Sequence, residues 1–168
     1  MHIYLMRHGQ AVTPSENPQR PLSIEGEKQV KSVAQFLKGK ELIVIGEIWH
    51  STKLRAKQTA EIFSKELKLA APSKQISSIE PDDEASRMVE DLAKIIHPVL
   101  IVGHMPYLGL LMSLLVSGRP GTNAFQFEEA AIACLTLNSG RGGPSPQGKI
   151  WALQWKVSPS LIQTQSMI

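Results

Sequence analysis

The chain has one cysteine among its 168 residues, Cys134, so no intramolecular disulfide can staple it. That residue lies in the apolar run 130–137 and reads as a small buried hydrophobe compatible with a reducing compartment. Aromatic residues are scarce at 5%, and no basic stretch is interleaved with them, which argues against a nucleic-acid surface. Charge of one sign is nearly absent in excess: 18 Lys plus Arg against 15 Asp plus Glu give +3. A pI near 9.1 suits an anionic partner without being a nucleic-acid signature. Long apolar runs are missing too. The opening run 1–6 stops at Arg7-His8, short of a signal peptide, and no stretch reaches the roughly 20 apolar residues of a membrane span. The expectation is a cytoplasmic protein with no membrane partner. Hydrophobic residues at 42%, charged residues at 20% and a mean hydropathy of −0.08 describe a packed chain. Its length predicts one domain, residues 1–157, followed by a docked or frayed tail, 158–168.

The pattern alternates strand and helix. Residues 2–6 predict a first strand, followed by a Gly- and Pro-containing loop over 9–21. Ser23 caps a helix carrying Val30, Val33, Ala34 and Leu37 on one face, with Gly39 as its stop. Residues 47–50 predict a second strand, then a helix from about Thr52 with Ala56, Thr59, Ala60, Phe63 and Leu67 aligned. After the acidic loop 80–84, a third helix shows Ala85, Met88, Val89, Leu92 and Ile96, and Pro98 ends it. Residues 99–102 read as a strand buried on both faces of a parallel sheet. Pro106 opens a helix apolar nearly all round over 108–116. Runs 130–137 and 149–157 predict two more strands, joined by an exposed loop or hairpin over 139–148. The fold class is α/β, a three-layer sandwich with a mostly parallel central sheet and helices on both faces.

In open α/β sheets ligands bind beyond the carboxyl ends of the strands. That rule selects Arg7-His8-Gly9, the segment 51–55 and Gly103-His104-Met105-Pro106, bringing two Arg and two His to one rim. Guanidinium forks match phosphate oxygens, and helix N-termini near Thr52 and Pro106 add amides, so the rim is suited to a tetrahedral dianion such as phosphate or sulfate. No Cys or Asp/Glu group at metal-ligand spacing accompanies the histidines, and no Walker loop is present, so no metal or cofactor is expected. A neutral imidazole can attack phosphorus itself while the second His and both Arg stabilise charge during in-line transfer.

Three segments carry a resemblance that covers nearly the whole chain: Leu5-Met6-Arg7-His8-Gly9, the ten residues from Ser51 to Ala60, and Val102-Gly103-His104-Met105-Pro106. They resemble the histidine phosphatase superfamily, also called phosphoglycerate mutase-like or branch 1. The resemblance implies that fold, with His8 as the phosphorylated nucleophile and Arg7, Arg55 and His104 as the phosphate pocket. It also implies substrate contacts from Gly9 and Arg20. Arg20-Pro21-Leu22-Ser23, Glu25-Gly26, and Phe127 with Ala131-Ile132-Ala133 are most similar to the small SixA-type phosphohistidine phosphatases. That implies a metal-independent enzyme, a signal-transduction hydrolase whose partner is a phosphorylated histidine phosphotransfer domain. The alternatives are a phosphatase of small phosphate esters or other phosphoproteins, and a phosphate-binding module without turnover.

Alkyl esters need a proton donor for a poor leaving group, whereas imidazole leaves phosphorus readily. The family's Gly-, Trp- and Glu-rich acid segment is absent between Arg55 and His104. Asp82 and Asp83, ahead of Glu80, are the acids the loop 79–83 offers in its place. Other residues read as structural. His50 and His97 end elements, and Lys53, Lys57, Lys65 and Lys68 form a solvated helix face, with Lys53 able to meet an acidic partner. Gly26 permits close packing, Glu128-Glu129 lie exposed, and Met88, Met105 and Met112 fill the core.

Overall fold

The structure is a computed structural model that describes residues 1–121, 125–138 and 150–165. The loop expected over 139–148 and the tail end 166–168 lie outside them. Among the described residues there are six strands and five helices, alternating up to β5: β1 (His2–Arg7), α1 (Ile24–Leu37), β2 (Glu47–Ser51), α2 (Leu54–Leu67), β3 (Ser73–Ile76) and α3 (Ala85–Lys94) come first. β4 (Val99–Gly103), α4 (Tyr107–Ser117), β5 (Ile132–Asn138), β6 (Ile150–Val157) and α5 (Pro159–Gln165) complete the order. The sheet runs β3-β2-β4-β1-β5-β6. β1 pairs in parallel with β4, β4 with β2 and β2 with β3, while β5 and β6 add an antiparallel edge.

Strand alternation explains the two cores. Ile3, Leu5, Val99, Ile101, Ala133 and Leu135 point to one face, where they meet Met88 and Leu92 of α3 and Leu108, Leu111 and Met112 of α4. Tyr4, Met6, Leu100, Val102, Ile132 and Cys134 point to the other, against Val30, Val33, Ala56, Ala60 and Phe63 of α1 and α2. Each central side chain is removed from water, and at about 25 cal/mol per Å2 a fully buried Leu or Ile contributes about 1.5–3 kcal/mol. The α/β three-layer class expected from the sequence is the fold observed.

The differences are local. β3 was not expected, because Ser73-Lys74-Gln75 is polar and exposed along a sheet edge paired only with β2. The second helix starts at Leu54, since the amides of Thr52 and Lys53 are bound by side chains ahead of it. β5 starts at Ile132, two residues late, because Ala130 takes a positive φ of 58° in the preceding turn. The tail includes α5, whose Ile162 packs on the α1–α2 core. Met105 is half-buried and not a core residue proper, whereas Met88 and Met112 are buried.

Candidate active site

The parallel order of β2, β4 and β1 puts the carboxyl ends of three neighbouring strands side by side, and the chemistry-bearing residues follow from that. Arg7 is the last residue of β1, paired with Gly103, and the His8 amide donates to the Gly103 carbonyl at 3.0 Å. His8 is 7% exposed. Its Nδ1 lies 2.6 Å from the carbonyl oxygen of Gly9, a contact that requires the proton on Nδ1 and leaves Nε2 with the lone pair. Arg55 Nε donates to that Nε2 at 3.3 Å. Burial, opposed by the Gly9 carbonyl and joined by the positive charge of His104, Arg55 and Arg7, holds His8 down at about 3. The ring is therefore a neutral base at pH 7.

The loop that carries Gly9 is pressed onto the start of α1. A Cβ on Gly9 would stand 2.6 Å from the Gly26 carbonyl oxygen, and one on Gly26 only 2.0 Å from that of Gln10. Both positions thus demand glycine for close approach, as read for Gly26 from the sequence. Thr59 locks the same loop from α2: its hydroxyl accepts the Gly9 amide at 3.1 Å and donates to the Arg55 carbonyl at 2.7 Å. Its helical periodicity marked Thr59 as a packing residue, and the hydroxyl's second task had no sequence signal.

Arg7 is held by the Phe127 carbonyl at 2.8 Å and by Glu129 at 3.7 Å, so Glu129 is half-buried and paired, not simply an exposed strand end. Arg55 lies on the first turn of α2, its guanidinium lowered in proton affinity by burial and then by nearby Arg20. Arg20 itself, in a left-handed conformation at φ 49°, is fixed by the Val12 carbonyl at 3.1 Å. Arg20, Lys53, Arg55 and Lys57 line a cleft of about 690 Å3, with no carboxylate among its lining residues.

His104 follows β4 and is 1% exposed. Its ring centroid lies 5.0 Å from that of His8. Nε2 meets the Ser51 hydroxyl at 2.6 Å, and that hydroxyl donates to Glu80 Oε1 at 2.9 Å. The same carboxylate oxygen accepts the Thr52 amide at 2.9 Å and hydroxyl at 2.6 Å, with Lys53 Nζ 3.5 Å from Oε2. Burial pushes the Glu80 carboxyl up, but the Thr52 and Ser51 hydrogen bonds and Lys53 outweigh it and hold the group below the usual range. Burial chiefly, with Arg55, lowers His104 to about 4.

The sequence-nominated residues thus separate. Arg7, His8, Gly9, Arg55 and His104 come together, with Arg20 at the edge. Glu80 reaches the cluster through Ser51, Asp83 caps the Glu80 amide through Oδ2 at 2.6 Å, and Asp82 is exposed. Buried His50 bonds the Ser51 carbonyl at 2.9 Å and His97 bonds Glu47 at 3.2 Å, as structural residues do. Arg7 Nε and His104 Nδ1 are buried without hydrogen-bond partners, the first a donor that an anion satisfies and the second open to a water. Among the described residues no group of three or more His, Cys, Asp or Glu is arranged for a metal, and no helix is long and apolar enough to cross a membrane.

Residues 3–75 match the model of the histidine phosphatase superfamily (branch 1), a span that contains Arg7, His8 and Arg55. The protein histidine phosphatase SixA, solved with tungstate, is 27% identical with a TM-score of 0.80 and covers 96% of this chain and 99% of its own. The α-ribazole phosphatase of Shigella flexneri shares the fold at 17% identity and TM-score 0.74, over 95% of this chain and 97% of that one. The mycobacterial glucosyl-3-phosphoglycerate phosphatase does so at 18% and 0.68, over 94% and 99%. No curated protein matches by sequence search. Family match over residues 3–75, shared fold and converging strand ends agree in making this chain similar to the histidine phosphatase superfamily (branch 1).

Proposed function

We propose that this protein is a phosphohistidine phosphatase acting on a phosphorylated protein, such as a histidine phosphotransfer domain, in two metal-independent steps. The observation that carries the reading is the 2.6 Å contact of His8 Nδ1 with the Gly9 carbonyl, which turns the lone pair of Nε2 toward Arg55. In the first step Nε2 attacks phosphorus in line, and the bond to the leaving nitrogen breaks with its electron pair. Arg7 and Arg55 donate to the phosphoryl oxygens with the His104 ring beside them, and Arg20 and the Gly9 turn complete the contacts to substrate. In the second step water takes the phosphoryl group from His8 and phosphate leaves.

The carboxylates support a substrate with a good leaving group. Glu80 is a committed acceptor of three hydrogen bonds, one Asp83 oxygen caps its amide, and Asp82 faces solvent. None is set up as the protonated acid that an alkoxide needs, whereas imidazole leaves without one. The cationic cleft of Arg20, Lys53, Arg55 and Lys57 is wide enough for a protein surface bearing acidic side chains beside its phosphoryl group. The likeness to the SixA structure solved with tungstate supports binding of a phosphate-like oxyanion.

The test compares phosphate release from a phosphorylated histidine phosphotransfer domain and from a simple alkyl phosphate, for wild type and His8→Ala, without added metal. The expected result is a strong preference for the phosphohistidine protein that disappears in His8→Ala. Faster hydrolysis of the alkyl phosphate would make the protein a small-molecule phosphatase, and bound phosphate without release would make it a binding module.

A further inference from the structure

Three features stand outside the steps above: the acidic cleft on the far side of Arg7, the exposed apolar side chains of Val44 and Ile96, and the chain of hydrogen bonds behind His104. The last carries an inference, because its directions can be worked out from valence alone. Glu80 Oε1 is a carboxylate oxygen and can only accept. It therefore takes the one proton of the Ser51 hydroxyl, 2.9 Å away. Ser51 Oγ already accepts the Lys53 amide at 3.1 Å, and it must also accept at the 2.6 Å contact with His104. The hydrogen there belongs to His104 Nε2. The other ring nitrogen, Nδ1, is then the one with a lone pair, and it is buried with no partner.

We infer that Glu80 is a positioning residue that acts through Ser51, fixing His104 with its proton on Nε2 so that Nδ1 can take a proton from the water that attacks phosphorylated His8. This deepens the proposed phosphatase reading and rests on it. The step balances. Water oxygen bonds to phosphorus as the P–Nε2 bond of His8 breaks and its electron pair returns to the ring. One water proton moves to His104 Nδ1, and HPO4 2− departs. The imidazolium left behind faces the cations Arg7, Arg55 and Lys53 and the neutral ring of His8, with Glu80 as the protein's anionic counterweight among the described residues. Without Glu80 the protein groups facing that charge would be the cations Arg7, Arg55 and Lys53.

The local sequence builds this arrangement for geometric reasons. Ser51 ends β2 next to β4, so its hydroxyl lies beside the residue that follows β4. Ile79, fully buried, pins the segment after β3, and Asp83 folds that segment into a turn by capping the Glu80 amide while its own amide bonds the Glu80 carbonyl at 3.2 Å. The Glu80 carboxylate is thereby aimed at the start of α2.

Two measurements test the inference separately from the function. Imidazole 15N spectra of the ligand-free protein report tautomers directly. The expected wild-type pattern is Nε2–H for His104 and Nδ1–H for His8. Ser51→Ala should shift His104 toward Nδ1–H while His8 is unchanged, which also shows that the variant has folded. Single-turnover decay of the phosphoenzyme should slow about 10- to 100-fold in Ser51→Ala and in Glu80→Gln, with Ser51→Thr restoring most of the rate. Its formation rate should change less than its decay. An Nδ1–H tautomer of His104 in wild type, or variants in which formation and decay slow equally, would overturn the inference. Failure to trap any phosphoenzyme on His8 would instead overturn the phosphatase reading and leave the tautomer result standing.

Discussion

The turn after β1 and the turn after β4 each deliver one histidine to the same pocket, yet they hold it by different means. His8 is fixed by the backbone: its ring bonds the carbonyl of the next residue, and that residue is clamped by Thr59 and by the close approach of Gly26. His104 is fixed by side chains, through Ser51 to a carboxylate 29 positions further along than Ser51. A backbone clamp holds one geometry whatever the charge, which suits a nucleophile that must present the same lone pair each cycle. A chain of hydroxyl and carboxylate responds to charge, which suits a group that gains and loses a proton. On the proposed mechanism the two corners separate bond making from proton handling.

Replacing the histidines in turn should give the largest difference. His8→Ala removes the proposed nucleophile, and turnover should fall by at least about 10^3-fold with no phosphoenzyme formed. His104→Ala should cost about 10^2-fold and still yield a phosphoenzyme, because proton transfer is lost while the nucleophile stays. Quench-flow with a phosphoramidate would decide. Phosphoenzyme in His8→Ala, or none in His104→Ala, would break the division of labour.

The backbone-held corner should be the less forgiving of added volume. In Gly26→Ala the new methyl meets the Gln10 carbonyl at 2.0 Å, a contact that backbone must relieve. Overpacking of that kind costs about 1–3 kcal/mol. Denaturant midpoints should show it, together with a rise in the fraction of His8 whose Nδ1–H is no longer held. A variant of unchanged stability and tautomer would mean that the loop after β1 is not clamped.

Acid titration sharpens the comparison further. An unfolded histidine takes a proton below about pH 6.5, whereas folded His8 does so only near 3 and folded His104 near 4. Between those values the unfolded chain binds more protons, so stability falls as pH falls, by up to about 1.4 kcal/mol per pH unit for each histidine. His8→Asn and His104→Asn should each flatten the slope between pH 6 and 4 by about that amount. Below about pH 4 the contribution of His104 should fade and that of His8 continue, because burial holds His8 the lower of the two and Glu80 partly offsets the shift of His104. Equal slopes in wild type and both variants would show that neither ring is kept neutral by the fold.

How the two corners appear in the sequence follows from how they are held. Arg7-His8-Gly9 was legible because an apolar strand stops on charged residues, and its clamp is local in sequence apart from Gly26 and Thr59. His104 was legible for the same reason, between β4 and Pro106. The link to Glu80 was not, because it depends on a polar edge strand, β3, that carries no periodic signal, and on a turn shaped by Asp83. The sequence placed Asp82 and Asp83 ahead of Glu80 as acids, since all three share one loop and only tertiary pairing distinguishes their directions. The carboxylate on Arg7, Glu129, was hidden for a related reason: it lies in an irregular turn in which Ala130 takes a positive φ.

The smallest effect concerns redundancy within the side-chain corner. Thr52 contributes two of the three hydrogen bonds on Glu80 Oε1, one from its amide and one from its hydroxyl. Thr52→Val removes the hydroxyl alone and leaves the amide and Ser51 in place. A hydrogen bond to a charged acceptor contributes about 1.5–3 kcal/mol when buried, and less where water can replace it. Thr52 is exposed, so solvent can fill the vacated position on the carboxylate. The expected cost is about 0.5–1 kcal/mol in stability and about a two- to threefold slower phosphoenzyme decay, with the His104 tautomer unchanged. Because Ser51 is the one route from Glu80 to the ring, a Thr52→Val effect as large as that of Ser51→Ala would mean that Glu80 acts by bulk charge at the start of α2. A small effect would mean that the bond through Ser51 carries its influence.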